Sequence, residues 1–340
     1  MRGKAVVFPD KGQVVFNEVD IPEPGSEDVV IDVEYSWIST GTESSFFRGE
    51  RLTGERLYRR GDPWPFPIVA GYQKVGTVRS VGAAVIGLKP GDRVFATVSH
   101  IKEMHFPFGG HITPAVTPMQ EVWKLPEDAN LLDYTSAVLT QVGYNCGTRP
   151  VIREGDWAVI IGDGLVGQWA AQTLLHRGAR VAVIGRHEER LRLLPTEVRG
   201  IKVNVLRQGD GEADSYQSAL AFCAGEVAAL VDTVGDMQAC RAIQPLLGRG
   251  SHWVSAGFLG ETGAVDIQSL RDQEITLHSP SGWTRERMDR TMEGIAAGWL
   301  RTAPLLTHRF PVERVQEAWQ LIVEKNEPFL GILLDWTKED

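Results

Sequence analysis

The first hundred residues alternate apolar and polar positions in short runs, KAVVF, QVVFNEV, DVVIDVEYSWI, QKVGTVRSVG and LKPGDRVFATV, separated by glycine and proline. Alternation with period two and frequent turn residues predict short β-strands in a barrel-like unit rather than βαβ units. Residues 47–66 (FRGERLTGERLYRRGDPWPF) interrupt the pattern as a basic, irregular excursion. Its Arg48, Arg51, Arg56, Arg59 and Arg60 read by default as a solvated loop, and alternatively as a contact for an anionic substrate or partner. From residue 131 the period changes, LLDYTSAVLTQVGYNC placing apolar residues three and four apart as a helix does. WAVIIG then reads as a buried strand, GDGLVGQWAAQTLLHRG as a helix and ARVAVIG as a second strand. AALVDTVG, SHWVSAG and EITLHSP continue as strands, alternating with helices that start near Met237 and Arg285, which predicts a doubly wound parallel sheet. The tail returns to β character with LLTHRFPV, a helix ERVQEAWQLIVEK and a last strand LGILLDW that could close either half.

Composition narrows the classes. A chain of 340 residues favours two domains, and 43% hydrophobic with 23% charged residues is ordinary for a folded soluble protein. The net charge of −9 argues against a nucleic-acid surface. The three cysteines, Cys146, Cys223 and Cys240, form neither a disulfide framework nor a metal-ligand spacing, so a reducing cytoplasm is expected. No run approaches the ~18 apolar residues of a membrane span, and the N-terminal run is too short for a signal peptide.

The strongest single signal is Gly162-Asp163-Gly164-Leu165-Val166-Gly167, between a strand and a helix. In that context the first glycine permits the tight turn, the second lets a pyrophosphate approach the backbone, and the third lets helix and strand pack closely. The first-turn N–H groups around Leu165 and Val166 then face the phosphates. At the end of the second strand the chain reads Gly185-Arg186-His187, with Arg190 one turn further and no carboxylate before Glu188. An acidic residue there would grip a ribose 2′-hydroxyl, whereas arginine accommodates a 2′-phosphate, so Arg186, His187 and Arg190 favour NADP(H) over NAD(H).

Taken together, VFNEVDIPEPGSEDVVIDVEYSWIST, PFPIVAGYQKVGTVRSVG, LKPGDRVFA, the glycine loop, VDTVG and the closing helix and strand resemble the medium-chain dehydrogenase/reductase superfamily over essentially the whole chain. Within it, ISTGTE, the Gly71-Tyr72 pair, AGF at 256–258, LLTHR and LLDW resemble the bacteriochlorophyllide a dehydrogenase-like group. The resemblance implies an α/β fold: an N-terminal GroES-like β-barrel catalytic domain formed by residues 1–147 and 303–340, and a Rossmann domain, residues 148–302, inserted between them. It also implies a homodimer acting on a small-molecule substrate, with Asn145 facing the nicotinamide and Gly257 lining the cofactor.

Zinc-containing members place a cysteine, a His-Glu pair and a third ligand where this chain has Ser39, Tyr72-Gln73 and Gln141, and the cysteines of their structural zinc lobe are missing too. Zinc sites are built from thiolate, imidazole and carboxylate, so a zinc-free member is expected. Hydride transfer to a carbonyl builds negative charge on oxygen, and Tyr72 is the first candidate to donate there, its phenol lowered by the nicotinamide charge or by Lys74 or Lys102. The alternative for Tyr72 is a cavity-filling aromatic. Ser39 and Gln141 would orient a substrate group or a water, and Gln73 would be a structural hydrogen-bond partner.

Glu43 would accept a proton or, the favoured reading, satisfy the N–H groups of its own helix start. His100 is a second acid/base candidate, with a pKa suited to neutral pH. The spacing of His100, His105 and His111 does not make a metal site and suggests surface or loop histidines. Trp37 and Trp64 would shape a pocket for a ring-bearing or polyhydroxylated substrate. The expected activity is zinc-independent, NADP(H)-dependent hydride transfer to a ketone or from a secondary alcohol. Reduction of an enone or quinone C=C bond is the alternative chemistry, and an NADP(H)-binding sensor or scaffold without turnover is the alternative class.

Overall fold

Asp28–Ile38 is buried along most of its length and has neighbours on both edges. Lys74–Val81 pairs with it antiparallel on one side, while Ala115–Pro118 and the late strand Gly331–Asp335 pair on the other. The computed structural model describes residues 1–203, 212–223, 226–259 and 263–337. In it the chain divides into two compact units, one running from Met1 to Val138 and resuming at Thr302, the other spanning Leu139–Arg301. The division falls inside the helix Ala137–Thr148, where the sequence reading put the boundary at 147. LLDYTSAVLTQVGYNC is likewise two helices, Leu131–Tyr134 and Ala137–Thr148.

In the first unit a seven-stranded sheet runs in the order Val122–Lys124, Arg93–Ala96, Lys74–Val81, Asp28–Ile38, Gly331–Asp335, Leu306–Pro311, with Ala115–Pro118 also on Asp28–Ile38. A four-stranded sheet joins Arg2–Phe8 to Val15–Asp20, Ile112–Thr113 and Ile68–Val69. One core is shared by both sheets: Ala5, Val7 and Ile112 from the smaller pack with Ile31, Val33, Val78 and Val94 from the larger. The helix Val315–Glu324 covers a second core with Phe8, Phe47, Ile38 and Ile332. The last strand therefore completes the first unit. The basic excursion is less irregular than expected: Arg51–Thr53 and Arg56–Leu57 form a hairpin, Arg48 pairs with Glu50, Arg56 with Asp62, and Arg51 is buried on Ser45 and Gly54.

The second unit is one six-stranded parallel sheet, ordered Arg199–Lys202, Arg180–Gly185, Trp157–Ile161, Val227–Asp232, Leu247–Ser255, Thr276–His278. Counted along the chain that order is 3-2-1-4-5-6, the doubly wound arrangement that binds a dinucleotide where the strand order reverses. The central strands read as continuous apolar runs because both faces are covered. Val159, Ile161, Ala182, Ile184 and Leu230 enter one core, and Ala158, Ile160, Val181, Val183 and Val231 enter the other.

Candidate functional site

Within the nucleotide-type unit, the glycine loop closes the strand Trp157–Ile161 and opens the helix Leu165–His176. Gly162 has φ +116, and a Cβ on it would meet Thr233 Oγ1 at 2.4 Å. A Cβ on Gly167 would meet the Gly162 carbonyl at 2.0 Å, so this position holds the helix against the strand end. Gly164 differs, because a Cβ there would meet nothing within 4 Å. No side chain caps the helix, which leaves its first N–H groups beside that open space. Leu165 is buried and Val166 partly so, and both contribute backbone rather than side chain to the opening.

A carboxylate does stand at the end of the second strand, contrary to the sequence reading, and the loop supplies it. Asp163 is buried, and its Oδ2 accepts from Arg186 N at 2.7 Å and His187 N at 2.8 Å. His187 Nδ1 lies 3.0 Å from the same oxygen, and Arg190 Nη1 is 3.6 Å from Oδ1. Gly185 is glycine because a Cβ would come within 2.5 Å of Asp163 Oδ2. Arg186 remains 58% exposed, 3.5 Å from Asp236 Oδ2. A strand-end reading could not see Asp163, which arrives from 22 positions earlier in the chain (185 − 163).

In the first unit, Ser39, Glu43 and His111 form a buried polar cluster that half-buried Tyr72 joins through Ser39. Glu43 lies in the short helix Thr42–Phe47, but its carboxylate does not serve that helix's own N–H groups as expected. Oε1 accepts from Ser39 N at 2.7 Å and Oε2 faces His111 Nε2 at 3.0 Å. His111, expected at the surface, is 0% exposed. Its Nδ1 lies 2.8 Å from Ser36 Oγ, to which Trp336 Nε1 donates at 2.9 Å. With His111 neutral and protonated on Nε2, every donor in the chain Trp336, Ser36, His111, Glu43 finds an acceptor. The ring packs where only glycine fits: Gly71, at φ +80, could not hold a Cβ, which would lie 2.5 Å from the His111 ring.

The Tyr72 hydroxyl shares hydrogen bonds with the Ser39 and Thr42 side chains. Burial pushes its phenol above the ordinary value and the nearby Glu43 carboxylate acts in the same direction, so the expected lowering by a lysine does not occur. Lys74 is itself fully buried with Nζ on the Thr97 carbonyl, and Lys102 is exposed. Gln73 is buried, its amide 3.5 Å from the Trp37 carbonyl, in the structural role expected of it.

Other candidates stand elsewhere. His100 is half exposed in a two-stranded hairpin and 3.4 Å from Asp28 Oδ1, and it hydrogen-bonds none of Ser39, Glu43 or His111. Trp37 is fully buried against Gly331, making it core rather than pocket wall. Trp64 is 47% exposed, donates to Asp10 and packs against Tyr58 and Phe66. In the second unit, Gln141 is buried with Oε1 accepting from Arg287 Nε at 3.1 Å, and Asn145 Oδ1 accepts from Arg149 Nε at 2.9 Å. Gly257 is required by backbone, since a Cβ would lie 1.8 Å from Gly235 N. Arg149 and Arg287 are residues that sequence reasoning did not reach, whereas Asp163 was read only as a loop position and His111 as a surface or loop histidine.

Serine hydroxyl, phenol and carboxamide at positions 39, 72, 73 and 141 do not fit zinc, which takes thiolate, imidazole and carboxylate. His111 and Glu43, the imidazole and carboxylate that Ser39 adjoins, are spent on each other and on Ser36 and Ser39.

Residues 25–127 match the alcohol dehydrogenase GroES-like domain family. The chain is 25% identical over 346 residues to the 2-desacetyl-2-hydroxyethyl bacteriochlorophyllide A dehydrogenase of Cereibacter sphaeroides, covering 99% of both. It is 26% identical over 363 residues to the L-threonine 3-dehydrogenase of Saccharopolyspora erythraea, again covering 99% of both. Its fold is that of the alcohol dehydrogenase of Escherichia coli CFT073 solved with NADH, at a TM-score of 0.81 and 20% identity, covering 98% of this chain and 99% of that one.

Proposed function

We propose that the chain, an oxidoreductase, is a member of the medium-chain dehydrogenase/reductase superfamily that transfers hydride between NADP(H) and a ketone or secondary alcohol without zinc. The observation that carries the reading is the open space at Gly164 beside an uncapped helix start, in a sheet whose strand order reverses at that loop. When bound there, the nicotinamide supplies or accepts the hydride. Exposed Arg186 supports the 2′-phosphate form, with Asp163 holding the strand-end backbone and Arg190 behind it.

At the substrate, Tyr72 acts as a neutral phenol. Its raised pKa keeps the proton on oxygen, so it stabilises a developing alkoxide by donating a hydrogen bond rather than by acting as a base. The Ser39 and Thr42 hydroxyls orient that phenol, and the Glu43–His111 pair fixes the Ser39 backbone.

Titrating EDTA-dialysed protein with NADPH and NADH in parallel tests the cofactor half. NADPH should bind at least ~10-fold more tightly. Equal or tighter NADH binding overturns the 2′-phosphate assignment, and binding of neither overturns nicotinamide chemistry. In a ketone and enone screen, Tyr72→Phe should lower kcat ~100-fold with cofactor affinity unchanged. Unchanged kcat would make Tyr72 a packing residue, and a product that keeps its carbonyl would assign C=C reduction instead.

A further inference from the structure

Two arginines in the second unit are held by neutral amides and not by acids. Gln141 and Asn145 stand four residues apart on one face of Ala137–Thr148, and Arg149 follows directly after that helix. Gln141 accepts from Arg287 Nε at 3.1 Å and Asn145 from Arg149 Nε at 2.9 Å, which sets the two guanidiniums above adjacent positions of the same helix. Arg287 spends its Nη2 on the carbonyls of Ser281 and Gly282, 3.3 and 3.2 Å away. Among the described residues neither guanidinium forms an ion pair with a carboxylate.

Gln141 sharpens the picture. Its oxygen accepts from Arg287, which assigns the other amide atom as the donor Nε2, and that buried nitrogen has no partner among the described residues. Burial lowers the pKa of Arg287 and the like charge of Arg149 lowers it further, as expected of two cations brought together without an anion. Beside them His252 Nδ1 lies 2.9 Å from His278 Nε2, and burial together with the Arg149 charge lowers the pKa of His278, which disfavours a further positive charge there. The cluster is rich in donors, and its acceptors are neutral amides, carbonyls and an imidazole, with no anion among the described residues.

We propose that Arg149 and Arg287, braced by Asn145 and Gln141, form an anion site that takes a carboxylate or phosphate group of the substrate. Paired guanidiniums bind such groups through two parallel N–H···O bonds, with orientation as well as affinity. The site deepens the oxidoreductase reading and rests on it for the identity of the ligand's owner, since a cofactor phosphate has the same chemistry.

The test titrates inorganic phosphate and acetate into protein saturated with NADP⁺ and into cofactor-free protein, by calorimetry. The expected result is saturable binding of at least one of these anions to the NADP⁺-saturated protein. Arg149→Gln and Arg287→Gln should each weaken it at least ~10-fold and leave the NADPH dissociation constant within about twofold. Gln141→Glu, which places an acid on Arg287, should abolish anion binding as well. Because Arg149 is exposed, its variant folds even if the Arg287 variant does not. Absence of anion binding to the saturated protein overturns the proposal. So does binding that NADP⁺ displaces together with loss of NADPH affinity in both variants, which would assign the arginines to the cofactor. Failure of NADPH to bind the unaltered protein is a different result, which overturns the nicotinamide reading while cofactor-free protein still reports on the arginines.

Discussion

Lys74 shows how a single buried residue imposes a pH dependence. It is fully enclosed, its Nζ on the Thr97 carbonyl, and burial pulls its pKa down from 10.5 to about 7 against the opposing pull of Glu121. The unfolded chain keeps that proton up to 10.5, so between pH 7 and 10.5 unfolding takes up a proton and rising pH stabilises the fold. Below pH 7 both states are charged and the penalty is present in full. Lys74→Met should therefore be more stable than the parent at pH 6, by on the order of a few kcal/mol, with the gain shrinking toward pH 10. Chemical denaturation at the two pH values reads the difference, and a gain independent of pH would show that the lysine is not neutralised by folding. The sequence disclosed little of this. Lys74, His111 and Glu43 look like surface residues by type, and only their long-range partners, at positions 97 and 36 among others, make them interior. Tyr72 and Ser39 were singled out only through the resemblance to zinc-containing dehydrogenases, whose ligands occupy the matching positions.

At the level of elements, the glycine loop separates packing from ligand contact. Gly167→Ala places a methyl 2.0 Å from a backbone oxygen and should cost about 2–3 kcal/mol of stability, read by thermal denaturation. Gly164→Ala meets no protein atom, so stability should change by less than ~1 kcal/mol while NADPH affinity falls ~10-fold or more. Equal losses of stability in the two variants would argue that the loop is a turn and nothing else. The central strands of the second unit were readable from sequence because burial on both faces writes a continuous apolar run, as in WAVII and RVAVIG. Arg199–Lys202 was not, being a short edge strand of sequence RGIK with little to bury. The stretch from 131 was read as one helix because Thr135 and Ser136 fit a helical period, although no hydrogen-bonded helix spans them.

At the scale of the whole chain, the first unit is assembled from both ends of the sequence. Gly331–Asp335 sits between Asp28–Ile38 and Leu306–Pro311, with Leu333 opposite Trp37 and Ile332 opposite Ile38. A chain stopped after Arg301 removes two strands of the seven-stranded sheet and the helix over Phe8 and Phe47. It should lose protease resistance in residues 1–138 while the six-stranded parallel sheet persists, which limited proteolysis with mass mapping would show. Survival of both units would mean that the early strands hold together unaided. The order of the last strand in the sheet has a bearing on synthesis as well as on stability. During translation the segment from 139 to 301 emerges with the six described strands of its sheet present, whereas Asp28–Ile38 waits with one edge half vacant until Gly331–Asp335 leaves the ribosome. Domains usually fold in the order in which they are made. In this protein the middle can finish before the beginning, and the beginning stays exposed to chaperones and to misassociation until that late strand emerges.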